Sequence, residues 1–207
     1  MEKGKRRAIM QAAAECLARF GYEKTTMEDV GRRVGLNKAS LYYYFKSKEA
    51  LFTAVVIDAA RQFIDTLQVK VAAAGMARQQ VETYLVERLH YFRRVVSLHN
   101  LSFETLRQVQ PVFRELYRSV LAQEIVFLEK LLVEGMQRRE LKPCDTARIA
   151  QSLLTLADAL KHAACEDPAS HWPADIDFGP IESDLRFLVQ LIMDGLAAPH
   201  ASPPLPQ

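Results

Sequence analysis

Cysteine is scarce in this 207-residue chain: Cys16, Cys144 and Cys165 are odd in number and widely separated. That does not describe the disulfide framework of a small secreted domain, and a reducing compartment is the expectation. Long apolar runs are also missing. No stretch approaches the roughly 18 apolar residues that span a bilayer. Behind the basic start, Gln11, Glu15 and Arg19 interrupt the apolar residues before a signal-peptide core forms. A soluble, cytoplasmic protein without a membrane partner is therefore expected. Strand-like alternation bounded by turn residues is hard to find. A phosphate-binding glycine loop, a nucleophile elbow and paired histidines at metal-binding spacing are absent too, which argues against an enzyme and against a cofactor.

What is present can bury a core, since 49% of the residues are hydrophobic and 25% charged. The formal net charge of +2 conceals an asymmetry. Residues 1–50 hold eleven basic side chains against six acidic ones, a balance of +5, and the remainder is left at −3. A basic head on a mildly acidic body suits a phosphate-binding surface, although an ordinary solvated basic helix has the same composition.

Apolar spacing is helical nearly everywhere, so the fold class is all-α. Ile9, Ala12, Ala13, Cys16, Leu17 and Phe20 form one stripe, closed by Gly21. Thr25 or Thr26 opens a second helix, with Glu28 or Asp29 completing a capping box, and Met27, Val30 and Val34 face inward. Gly35 permits a tight turn, Leu36 fills the space between helices, and Asn37 caps a short helix over Lys38 to Tyr44. Ser47 and Glu49 start a long fourth helix running to about Ala74. Beyond Gly75 the pattern predicts a helix through Val96 and a shorter one near Leu101 to Gln108. A further helix has Pro111 in its first turn and runs toward Met136. After the Pro143 turn, Asp145 caps a helix over Thr146 to Cys165. Residues 167–180 read as a loop, Leu185 to Leu196 as the last helix, and the proline-rich residues 199–207 as a disordered tail.

A short helix, a glycine-bearing turn and a second helix about seven residues long form the smallest device for placing side chains in a major groove. Leu41 and Phe45 serve its inward side, and Tyr44 packs partly inward. Lys38 at the helix start can reach guanine acceptors. Ala39 permits close approach to a thymine methyl, and Ser40 can bond base or phosphate. Tyr42 and Tyr43 offer hydroxyls. Thr26 and Lys48 stand at the starts of helices whose N-termini favour anions.

The segment TTMEDVGRRVGLNKASLYYYFKSKEALF resembles the DNA-binding signature of the TetR family, carried here by Leu41, Tyr42, Tyr44, Phe45, Ser47, Lys48 and Glu49. The resemblance covers the first fifty residues. Gly31 stands where the family commonly has alanine and Asn37 where serine is common; Gly31 is expected to weaken its helix by up to ~1 kcal/mol relative to alanine. The resemblance implies an N-terminal three-helix helix-turn-helix DNA-binding domain over 1–47 and a helical ligand-binding and dimerisation domain over 48–198. The last two long helices would pair across a two-fold axis, and Ala157, Ala159, Ala164 and Gly195 beside Leu153, Leu160, Leu188 and Ile192 are compatible with that. It further implies a homodimer on double-stranded, palindromic operator DNA, with recognition helices ~34 to 36 Å apart. Such a repressor would be released by a small hydrophobic effector, moving the heads through the long fourth helix.

In the body, Phe63, Phe92, Phe103, Phe113, Tyr117 and Phe127 either line an effector cavity or fill the core, as apolar residues at helical spacing commonly do. His90, His99, Asn100, Glu104, Arg107 and His162 are candidate polar anchors. His162 and Cys165 offer two metal ligands without a second pair, so no metal is expected. Cys144 or Cys165 as a redox switch would require a lowered thiol pKa.

Overall fold

The computed structural model describes residues 2–73, 75–98, 103–165 and 176–198, with side chains except at 2–3, 96–98, 103–116 and 164–165. Among these residues the chain runs through α1 (Glu2–Lys24), α2 (Met27–Val34), α3 (Lys38–Tyr44), α4 (Lys48–Ala72), α5 (Ala77–Leu98), α6 (Phe103–Gln137), α7 (Thr146–Cys165) and α8 (Phe178–Leu196). An isolated antiparallel bridge between Leu141 and Ala197 is the extended pairing seen. The fold is all-α.

The head forms where the sequence punctuates itself. Gly21 takes φ 75, which breaks the helical path of α1, and a last turn follows to Lys24. Of the two threonines, Thr26 is the cap: its hydroxyl accepts from the Asp29 amide at 3.2 Å and the Asp29 carboxylate accepts from the Thr26 amide at 3.1 Å, a reciprocal box. Gly35 closes α2 at φ 65, a conformation that costs glycine nothing. The Asn37 side chain accepts from the Ser40 amide to start α3, and the Ser47 hydroxyl accepts from the Ala50 amide to start α4. Ile9, Cys16, Leu17, Tyr22, Met27, Val30, Leu41 and Phe45 then bury together with Leu51, Phe52 and Val55 of α4.

The body is built by α4 lying on α6, α6 on α7, and α5 on α8. Its core joins Leu67 and Val71 of α4 to Tyr84 and Leu85 of α5, Leu128 and Leu131 of α6, Leu153 and Leu154 of α7, and Leu185 and Val189 of α8. Among the described residues, no helix is long and apolar enough to cross a membrane.

Three sequence expectations are corrected. The two helices expected around Leu101–Met136 are one 35-residue helix that continues through Pro111. A proline deletes one backbone hydrogen bond and crowds the preceding turn, a local cost that the docking of a long helix outweighs. The last helix starts at Phe178 rather than beyond Pro180: Asp177 caps it by accepting from the Gly179 amide at 2.9 Å. Pro180 then falls in the first turn, where no amide donor is needed.

Gly31 is the third. A Cβ there would stand 2.6 Å from the Leu36 carbonyl oxygen and 3.0 Å from Leu41 Cδ1, so the glycine lets the α2–α3 turn close. It is a requirement of packing rather than a weakness of the helix. Gly31→Ala should accordingly destabilise the protein by about 1–3 kcal/mol through overpacking, read as the urea unfolding midpoint. A gain in stability, as helix propensity alone would give, would contradict this close approach.

Candidate functional site

The face presented by the head is set by what α3 must bury. Leu41 is fully buried and Phe45 nearly so, with the Arg6 guanidinium 4.6 Å from the Phe45 ring centroid. With that side committed, Lys38, Ala39, Tyr42 and Tyr43 are exposed, and Ser40 and Tyr44 are half-buried. Tyr43 is the most open, at 68%, and meets the Tyr44 ring edge-on at 5.2 Å. Seven residues of helix therefore offer a cation, a methyl, a hydroxyl and phenols to one side.

Three basic side chains of the head are already paired with carboxylates among the described residues. Lys38 Nζ lies 2.6 Å from Glu28 on α2, a hydrogen bond and charge pairing that pull the Glu28 carboxyl down and push the Lys38 ammonium up. Arg33 reaches Glu15 at 2.9 Å and Arg32 reaches Asp29 at 3.4 Å. These are surface pairs, each worth little to stability. Thr26 is exposed, and its hydroxyl donates to Asp29 at 2.6 Å. Lys48 is half-buried: its Nζ lies 4.1 Å from the centre of the Tyr22 ring and donates to the Glu23 carbonyl at 3.4 Å. Tyr22, nearly fully buried, donates its hydroxyl to Glu49 at 3.2 Å and meets Phe52 edge-on. This Tyr22–Lys48–Glu49 contact fixes the start of α4 against the end of α1.

The effector candidates scatter. Phe63 stacks on Tyr91 at 4.2 Å, Phe92 meets Phe178 edge-on at 6.2 Å, and Phe127 is buried against Tyr84 at 5.2 Å. Their surroundings are those of core and core edge. His90 pairs with Glu182 at 2.7 Å, and His162 is exposed. Side chains of Phe103, Glu104, Arg107 and Phe113, and His99 and Asn100 altogether, lie outside the described residues. So does the Cys165 side chain. The Cys144 thiol is pushed up by burial and by the neighbouring Asp145 charge, the reverse of what a redox switch requires.

Tyr117 leads to a polar cluster inside the body. Arg88 of α5 donates through Nε to Glu124 at 2.7 Å and through Nη1 to Asp158 of α7 at 2.9 Å, and it also bonds the Tyr117 hydroxyl. Glu124, with no exposure, accepts further from Tyr84 at 3.1 Å and from Tyr117 at 2.6 Å. Lys161 donates to Asp158 at 2.8 Å. Two cations and two carboxylates balance, and burial pushes the Tyr84 and Tyr117 phenols well up. Burial works to raise the Asp158 carboxyl as well, but the Lys161 and Arg88 charges outweigh it and hold it at about 2.

Residues 9–55 match the family model for bacterial regulatory proteins of the tetR family. An uncharacterized HTH-type transcriptional regulator of Bacillus subtilis, YfiR, is 30% identical over 165 residues, which make up 76% of this chain and 79% of that protein. The chain belongs to the TetR family. It is a transcriptional regulator. The fatty acid metabolism regulator protein of B. subtilis is 25% identical over 149 residues, covering 70% of this chain and 75% of that one. A transcriptional regulator from Cytophaga hutchinsonii superposes with a TM-score of 0.72 at 26% identity, over 94% of this chain and all of the other.

The family signature pointed to Lys38–Tyr44 but not to Glu28 or Tyr22, which hold Lys38 and Lys48. Nor did it reach Arg88, Glu124, Asp158 and Lys161. Their signal was available, because Glu124 falls midway between Val120 and Leu128, and Asp158 four residues after Leu154, on inward stripes. A charge on an apolar stripe needs a partner.

The Asp158 carboxyl titrates lower in the folded chain than the ~3.9 of an unfolded aspartate. Its contribution is therefore complete above about pH 4 and lost as pH falls toward 2. Asp158→Asn should unfold more easily than the parent at pH 7, by about 2 kcal/mol, with the gap in urea-derived stability narrowing between pH 4 and pH 2. A gap independent of pH would contradict the pairing.

Proposed function

We propose that this regulator is a homodimeric repressor that grips a palindromic operator through α3 and lets go when a small hydrophobic effector enters the helical body. The observation that carries this reading is the exposed side of Lys38–Tyr44, held out on buried Leu41 and Phe45 by the Gly35 turn. The division is a DNA-binding head over 1–47 and an effector and dimerisation body over 48–198. Lys38, Ala39, Ser40, Tyr42 and Tyr43 would meet base edges and phosphates, with Tyr44 shaping the face from behind. Thr26 and Lys48 would anchor the backbone at helix N-termini.

The pairing surface of the body is proposed to be α8 with α7. Phe187 and Leu191 are 64% and 60% exposed, one turn apart, and Gly195 continues the line. Exposed Ala159 and half-buried Leu160, Leu188 and Ile192 extend it. Leu153 and Ala157 are buried within the chain and belong to its own core. An exposed apolar stripe of this kind is what a two-fold interface covers.

Lys38 has to exchange Glu28 for DNA on binding, whereas Lys48 keeps its place over Tyr22. Selecting a duplex from a random pool and titrating the full-length protein with it at several salt concentrations tests the reading. Affinity should fall steeply with salt as counterions are released. Lys48→Ala should weaken all sequences alike and flatten the salt slope by about 1 per head, while Tyr42→Ala should cost about tenfold on the selected sequence. Absence of sequence preference, or unchanged affinity in both variants, would overturn it.

A further inference from the structure

We propose that Lys161, set against the Arg88–Asp158 pair, is the anchor for a carboxylate on an otherwise apolar effector. This rests on the reading of the body as an effector-binding domain. It adds a charge to the effector that apolar composition does not reveal.

A lysine near a surface ordinarily runs its stem along apolar groups and leaves the ammonium in water. Lys161 instead turns its ammonium onto a carboxylate and a ring. Its side chain is 15% exposed, and its Nζ sits 2.8 Å from Asp158 and 5.0 Å from the centre of the Phe92 ring. An ammonium has three donors, and Asp158 is the one hydrogen-bond acceptor it meets among the described residues. Arg88 is occupied, by contrast, with Glu124, Tyr117 and both Asp158 oxygens sharing its donors. Glu124 is fully buried and meets three donors, whereas Asp158 and Lys161 keep partial exposure, and Lys161 has ammonium donors that Asp158 does not take up.

Phe92 beside it and the Phe63–Tyr91 stack of α4 and α5, all partly buried at the edge of the core, would supply the aromatic surface for the rest of an effector. Burial draws the Lys161 ammonium down against the pull of the Asp158 charge, and a further anion beside it would favour its charged form. An uncharged head group would forgo the stronger, charge-assisted hydrogen bond that a carboxylate accepts from an ammonium, and a cationic one would be repelled. A doubly charged phosphate would crowd Asp158 and Glu124, which favours a single carboxylate.

The test is calorimetric titration of the full-length protein with decanoate, 1-decanol and decylamine, all below their aggregation limits. Decanoate should bind at least tenfold tighter than decanol, with decylamine weakest. Lys161→Met should bring decanoate and decanol within twofold, and Lys161→Arg should restore the preference. Equal affinity for acid and alcohol in the parent protein, no binding of decanoate, or a preference that survives in Lys161→Met would each overturn the proposal. Should Lys161→Met fail to fold, the parent comparison and Lys161→Arg still decide. Operator binding is measured separately. Its loss with the decanoate preference intact would strike the DNA reading alone, and the converse would strike the anchor alone.

Discussion

α4 has to satisfy three apolar clusters at once, and the rest of the molecule is arranged around that constraint. Its first turns put Leu51, Phe52 and Val55 into the head, Ile57 and Ile64 pack with Val120 of α6, and Leu67 and Val71 enter the body core. The helix contains neither glycine nor proline between Lys48 and Ala72, the usual sites of a kink. At 1.5 Å per residue it is a rod of about 37 Å. A rod buried at both ends cannot tilt at one without moving the other, because packed interiors do not deform smoothly.

This makes the position of the polar cluster consequential. Tyr117 belongs to that cluster and also packs against the Ile57–Ile64–Val120 group, and on the adjoining turn of α6 Ser119 accepts from Arg61 of α4 at 2.6 Å. A rearrangement at Arg88 and Asp158 would reach α4 through one residue of α6. Buried ion pairs are weak contributors to net stability, since apolar replacements are often as stable. Such a cluster is therefore more informative about function than about folding.

Much of the head was legible because its signals are local. Thr26, Gly35, Asn37 and Ser47 each act on a backbone group within four residues, so residue type and spacing sufficed. The role of Gly31 was misread because its reason lies in Leu36 and Leu41, across a turn, where propensity is silent. In the body, the continuity of α6 through Pro111 and the early start of α8 were lost because tertiary docking and capping overrode the usual meaning of proline. Phe127 and Phe92 were visible as aromatics. Whether they line a cavity or fill a core depends on neighbours from other helices, which no single stripe reveals. Exposed Phe187 and Leu191 were likewise hidden, since a stripe shows that a residue is apolar and not which side it faces.

Amide hydrogen exchange along α4 tests the coupling most directly, because protection reports which segments open together. A single rod packed at both ends gives one continuous protected block from Leu51 to Val71, exchanging at a rate shared with Ile9–Leu17 of α1 and Val81–Leu89 of α5. Fast exchange over Leu51–Val56 beside slow exchange over Ile64–Val71 would contradict it. That pattern would mean that the head hinges within the helix instead of moving with the body.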